Sequence, residues 1–179
     1  MFYTSCQTSK PDSQTSVVPT TKITTDSLET ISVSNDTTKV LVLFKTPYRF
    51  EQFSVPVFSG KLHQPDFSNN PFRDDPLYVK FINEGCAENG INFGGKYTVL
   101  VNGCGLMCQH LFIIDRTTGF VFNDIELQEG YYGYKFRPNS NLFIANANLF
   151  VDEKFQYYEQ THDVPKLFVW SKTVFKPLQ

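Results

Sequence analysis

INFGGKYTVLVNGCGLMCQHLFIIDRTTG, residues 91–119, decides the fold. Tyr97-Thr98-Val99-Leu100-Val101 and Leu111-Phe112-Ile113-Ile114 are short runs rich in β-branched and aromatic residues, the composition of half-buried strands. Between them, Gly103-Cys104-Gly105-Leu106-Met107 reads as a tight turn. The second run ends in Asp115-Arg116-Thr117-Thr118-Gly119. There Asp115 can accept backbone N–H bonds and Gly119 can adopt positive φ, which marks a hairpin loop. Two antiparallel strands and the start of a third therefore follow from this stretch alone.

Working outward, Phe120-Val121-Phe122 continues the meander. Pro138-Asn139-Ser140-Asn141 is a further turn, leading into Leu142-Phe143-Ile144-Ala145. Residues 166–176 (KLFVWSKTVFK) supply a last strand or strand pair. On the other side, 39–45 reads as a strand and 55–61 as another, with Pro56 arguing for a sheet edge. A helix is expected over about 75–89. Asp75 is placed to cap its N-terminus, Pro76 suits the first helical position, and Gly90 is placed to end it. Leu77, Tyr78, Phe81, Ile82 and Cys86 recur at helical spacing and would form its apolar face. The fold class is α+β, mainly β: an antiparallel β-meander with one covering helix.

The chain has 179 residues, enough for a single domain with one core. A net charge of −2 argues against a nucleic-acid surface. Eighteen Phe and nine Tyr fit a β-rich interior. No apolar run approaches the roughly 20 residues of a spanning helix. Residues 1–36 read as a disordered, Ser/Thr-rich tail without aromatics after Tyr3, and the globular domain as 38–179. Small polar residues before Cys6 look like the processing site of a bacterial lipoprotein. Cys6 would then be lipidated, the tail would be a tether, and the natural start would lie upstream of Met1. The plain alternative is a cytoplasmic chain with an incidental cysteine.

Cys104 and Cys108 flank the predicted turn, and across paired strands such positions lie within disulfide reach. A disulfide there depends on an oxidising compartment, and free thiols remain open. A zinc reading of Cys104, Cys108 and His110 lacks a fourth ligand nearby, so no metal or other cofactor is expected. A nucleophile reading would pair Cys86 or Cys108 with His63, His110 or His162, but no spacing brings them together. Gly94-Gly95, Gly103 and Gly105 lack the order of a phosphate loop. Asp66, Asp74, Asp75, Asp115, Asp124 and Glu126 single out no glycosidase pair. The aromatic clusters Tyr131-Tyr132-Gly133-Tyr134 and Phe155-Gln156-Tyr157-Tyr158 belong either to the core or to a stacking surface.

Asn92-Phe93-Gly94-Gly95-Lys96-Tyr97, Gly103-Cys104-Gly105-Leu106-Met107-Cys108-Gln109 and Asp115-Arg116-Thr117-Thr118-Gly119-Phe120-Val121 together resemble the motifs of a family of uncharacterised, mostly exported bacterial proteins. Gly60-Lys61, Asp66-Phe67 and Phe136-Arg137-Pro138-Asn139-Ser140-Asn141-Leu142 extend the resemblance over roughly 55–145. Relatives commonly carry His where this chain has Lys96, and Trp where it has Asn102. An activity carried by that histidine would be missing here. The resemblance implies export and brings no reaction with it.

The sequence thus leads to an envelope-associated, non-enzymatic binding or interaction domain. Lys96, Asn102, Gln109, Tyr131 and Tyr132 are the candidate ligand-binding residues, and the partner a protein or glycan. Contact with a membrane would come only through the N-terminal lipid. The alternative is a Cys/His-based hydrolase or metal-dependent enzyme using the segment from Cys104 to His110.

Overall fold

A computed structural model describes residues 22–23, 29–32, 40–105, 108–122, 125, 127, 130–158 and 163–179. Among these the chain is mainly β, with three antiparallel sheets and a single α-helix. No described helix is long and apolar enough to cross a membrane.

The first sheet is the meander read from residues 91–119. β4 (Tyr97–Gly105) pairs with β5 (Cys108–Asp115), which pairs with β6 (Val121–Phe122). The second sheet has the order β11-β10-β8-β7, from β7 (Tyr134–Lys135), β8 (Leu142–Ala145), β10 (Lys166–Ser171) and β11 (Val174–Pro177). The third joins β1 (Lys22–Ile23), β2 (Glu29–Ser32), β3 (Val40–Lys45) and β9 (Gln156–Tyr158). β8 and β10 are thus neighbours in the sheet without being consecutive in the chain, which leaves the second sheet between them to add β9 beside β3. Two short strands also fall inside the stretch that the sequence assigns to the tail: β2 pairs along β3, and β1 along β2. Main-chain ladders need no large side chains, which is why composition did not signal them. Cys6 lies outside the described residues.

Side chains alternate across each strand, and that alternation builds a layered core. On one face of the first sheet, Leu100, Phe112, Ile114 and Val121 pack against Ile82 and Cys86 of α1 (Pro76–Asn89). On the other face, Tyr97, Val99 and Ile113 meet Phe143, Trp170 and Phe175 of the second sheet. The far side of the second sheet, Leu142, Ile144 and Leu167, is covered by Phe50, Ala147 and Phe155. β8 is therefore buried on both faces, which explains its unbroken apolar run.

The helix has the expected limits. The Asp75 carboxylate accepts from the N–H groups of Leu77 and Tyr78, Pro76 opens the first turn, and Gly90 closes the last at φ 56°. Leu77 is a correction: it is 78% exposed. Its position lies about 140° around the helix from Ile82, whereas Tyr78 and Cys86 each lie about 40° away. Residues 55–61 form no strand. Pro56 has no N–H to give a ladder, and the segment instead crosses the first sheet's end, where the Phe58 N–H donates to Gly95 O at 2.7 Å. The hairpin loop at 115–119 is as read, with Gly119 at φ 87°. A Cβ on Gly119 would meet Gln64 O at 2.3 Å, so the residue serves both the turn and a close backbone approach.

The Gly/Cys turn differs from the sequence reading. The β4–β5 ladder runs past Gly103↔Gln109 to Gly105↔Cys108, with a register shift between Gly103 and Gly105. Cys104 occupies that irregularity, so the residue facing Cys108 in the ladder is Gly105. The side chains of Cys104 and Cys108, which would form the disulfide, lie outside the described part, as do Leu106 and Met107.

A cleft between the first and second sheets

Asp115 ends β5 and Lys96 precedes β4, so the antiparallel register brings them together. Lys96 Nζ donates to Asp115 Oδ2 at 2.6 Å. Asp115 Oδ1 accepts from the N–H of Thr117 at 2.9 Å and from its hydroxyl at 2.6 Å. Burial pushes the Asp115 carboxyl up, but the bonds from Lys96 and Thr117 outweigh it and leave it below the ordinary carboxylate value. The Lys96 ammonium is raised, chiefly by its bond to Asp115.

Their linkage signs are opposite. The Asp115 charge contributes stability above its unfolded value of 3.8, lost as pH falls through the depressed folded value. The Lys96 charge contributes stability below its unfolded value of 10.5, lost as pH rises through the raised one. Asp115→Asn is expected to cost about 1.5–3 kcal/mol at neutral pH, the range for a hydrogen bond to a charged group. It should also flatten the loss of stability below about pH 4. Urea unfolding at a series of pH values checks this; an acid limb as steep as in the unaltered protein would refute it.

The pair borders a cleft of about 410 Å³ between the two sheets, lined also by Tyr97, Phe122, Trp170 and Lys172. Gly94 and Asn141 complete its wall. A Cβ on Gly94 would stand 3.0 Å from both Asn141 Oδ1 and Tyr97, so glycine keeps this wall open. Trp170 is 3% exposed and packs edge-on against Tyr97 and Phe122. Its indole Nε1 is buried without a hydrogen-bond partner. A buried N–H of this kind leaves a desolvation cost of order 1–3 kcal/mol uncompensated. Lys172 sits in the β10–β11 turn at φ 61° and makes no ion pair among the described residues.

Of the five sequence-predicted ligand residues, only Lys96 lines this cleft. Asn102 and Gln109 lie toward the opposite end of the β4–β5 ladder, Asn102 facing His110 and Gln109 facing Gly103. Six residues of strand at about 3.3 Å each separate Lys96 from Asn102 by about 20 Å. Gln109 lines a smaller cavity of about 190 Å³ with Phe72, His110, Phe112, Ile125 and Leu127, and its buried Oε1 has no partner. Tyr131 and Tyr132 are exposed on the turn before β7, where the Tyr132 N–H donates to Asn146 Oδ1 at 3.3 Å. They line neither cavity. The predicted five therefore form no single site.

The residues that could support covalent chemistry are also separated. Cys86 is fully buried under the first sheet, and burial pushes its thiol up despite the nearby Arg116 charge and Thr98 hydroxyl. That is the opposite of an activated thiolate. His110 Nδ1 shares a 2.9 Å hydrogen bond with the Tyr78 hydroxyl, at the first turn of the helix, whereas Cys86 is near its end. His63 is exposed on a loop, and its main chain bonds Arg116. His162, Asp124 and Glu126 lie outside the described residues. Among the described residues no three His, Cys, Asp or Glu side chains are grouped to hold a metal ion.

Comparison with family models, curated proteins and solved structures finds no match for this chain.

Proposed function

We propose that this chain is a non-enzymatic binding domain that takes a small ligand into the cleft between its first and second sheets. The observation that carries the reading is the cleft itself: an open concavity with aromatic side chains in its wall and two lysines at its border, of which Lys172 makes no ion pair among the described residues. Concave sites with aromatic walls and a few polar groups are the usual form of small-molecule sites. The envelope location belongs to the same proposal. It is supported by the lipoprotein-like start at Cys6, the Ser/Thr-rich segment after it, and the resemblance of residues 55–145 to exported bacterial proteins.

Trp170 is the chain's sole tryptophan, so its fluorescence reports on the cleft directly. A panel of sugars, amino acids, organic acids and short peptides is expected to contain at least one class that shifts this emission saturably and raises Tm. A panel without any such member would overturn the binding reading. Mass spectrometry of the native protein from fractionated cells tests the location: acylated Cys6 in membranes is expected, and an unmodified Met1 confined to the soluble fraction would refute the anchor.

A further inference from the structure

Independently of the cleft, we infer that the outer edge of β4 is a docking site for an extended basic segment of another protein, added to the first sheet as a further antiparallel strand. Among the described residues β4 pairs only with β5, so its other edge is open. The Arg116 N–H donates to Lys96 O, which fixes the alternation of the ladder. Lys96, Thr98, Leu100 and Asn102 turn their main-chain groups toward β5, and Tyr97, Val99 and Val101 turn theirs outward. The chain itself supplies peptide-like partners for the first two outward positions. Tyr97 exchanges main-chain bonds with Phe93, at 2.9 and 3.1 Å. Val99 exchanges bonds with the Asn92 carboxamide, whose Oδ1 accepts at 2.7 Å and whose Nδ2 donates at 2.9 Å. Val101 is the next outward position. It is 37% exposed, and no described group bonds its outward N–H and C=O.

Val101 opens into a groove of about 410 Å³ bordered by α1 and by Phe136. Glu84 and Glu88, one helical turn apart, line it, and no lining residue is cationic. Glu88 makes no ion pair among the described residues, and Glu84 meets only Lys80, at 3.9 Å. The pleat then sets the sequence of the occupant. Val101 shares the face of Tyr97 and Val99, toward the second sheet, whereas Leu100 faces the helix. Opposite side chains in an antiparallel pair share a face, so the added residue across from Val101 points toward Phe136 and its two neighbours toward Glu84 and Glu88. The complement is an apolar residue flanked by lysines or arginines. A second copy of this chain is the poorer occupant. Pairing about a two-fold axis at Val101 would put both helices on one face and set Glu84 and Glu88 against their own images. Charges that guard an open edge against self-pairing thus select a strand of opposite charge.

A blocked heptapeptide of alternating lysine and valine is the probe. Titrated into the full chain and followed by NMR, it should bind saturably and slow hydrogen exchange at the Val101 amide about tenfold, the scale of one hydrogen bond. A peptide with glutamate in place of lysine should not bind. Methylating the valine amides of the probe, which would face β4, should weaken it about tenfold, whereas methylating the lysine amides, which would face away, should change it less than about twofold. Glu84→Gln combined with Glu88→Gln should weaken the probe about fivefold, and more at low salt than at high. Both glutamates are exposed on the helix, so the double substitution leaves the core undisturbed. Equal binding of the acidic peptide, equal effects of the two methylations, an unaltered affinity in the double variant, or an unprotected Val101 amide at saturation would overturn the inference. So would a dimer in sedimentation whose Val101 amide is protected without peptide, because the edge would then be taken by a second copy. None of these outcomes bears on the small-ligand reading, which is read from Trp170 emission.

Discussion

Phe143→Ala is expected to lower the free energy of unfolding by about 3–5 kcal/mol, the range for emptying a large aromatic from a packed core. Phe143 has no exposed surface and stands at the centre of the interface between the first and second sheets. Its ring stacks on Phe136 at 5.4 Å and meets Phe93 edge-on at 5.5 Å. Tyr134 lies at 5.3 Å and Phe175 at 4.7 Å. These neighbours come from three separate segments of chain, so no single loop can move in to fill the space. Because the surrounding rings are large and flat, collapse around an alanine would be incomplete and the cavity cost would be near the upper end. Phe143→Leu, which keeps most of the volume, should cost less than half as much. Urea midpoints at constant m-value measure both. A loss of under about 1 kcal/mol for the alanine variant would mean that the two sheets do not share this core.

The same interface explains what the sequence could and could not disclose. The helix limits were legible because Asp75, Pro76 and Gly90 act through bonds and dihedrals within a few residues of themselves. The hairpin at 115–119 was legible for the same reason. Leu77 was misread because spacing identifies a face only to within the width of an apolar stripe, and packing chooses its centre. The ladder at Gly105↔Cys108 was not readable, since alternation gives no sign of an irregularity that shifts register by one residue. The cleft was the least legible element. Lys96, Asp115, Asn141 and the pair Trp170 and Lys172 come from four places that meet only when two sheets stack. Within a strand, sequence tells that neighbouring side chains alternate but not which face meets which sheet. Trp170 therefore read as one apolar residue in a final strand, and its unpartnered N–H was invisible until the packing was known.

Arg116→Met is the second substitution with a large expected effect, about 2–4 kcal/mol of destabilisation, and two opposing terms decide its sign. Arg116 is 3% exposed, so its removal relieves the cost of holding a cation away from water. Against that, its guanidinium links three segments. Nε donates to His63 O at 3.1 Å, and Nη1 donates to Cys86 O at 2.7 Å and to Thr98 Oγ1 at 3.1 Å. Methionine fills the volume but offers no donor, leaving the Cys86 carbonyl with only the Gly90 N–H and the Thr98 hydroxyl with only its own donation to Gly90 O. Each lost bond to the charged guanidinium is worth about 1.5–3 kcal/mol before the relieved desolvation is subtracted. Three lost charge-assisted bonds outweigh one relieved desolvation, so the net sign is destabilising. Arg116→Lys should recover little, because a single ammonium on a flexible stem cannot reproduce the fork that spans His63, Cys86 and Thr98. The consequence reaches the cleft: the Arg116 main-chain N–H donates to Lys96 O at 2.8 Å, and Asp115 is its neighbour. Loosening this anchor should blunt the dependence of stability on the Lys96–Asp115 bond. In a double-mutant cycle with Asp115→Asn, the two losses should therefore sum to more than the combined variant shows, with a coupling of about 1 kcal/mol. Strict additivity would place the buried guanidinium and the cleft carboxylate in independent structural units and refute this link.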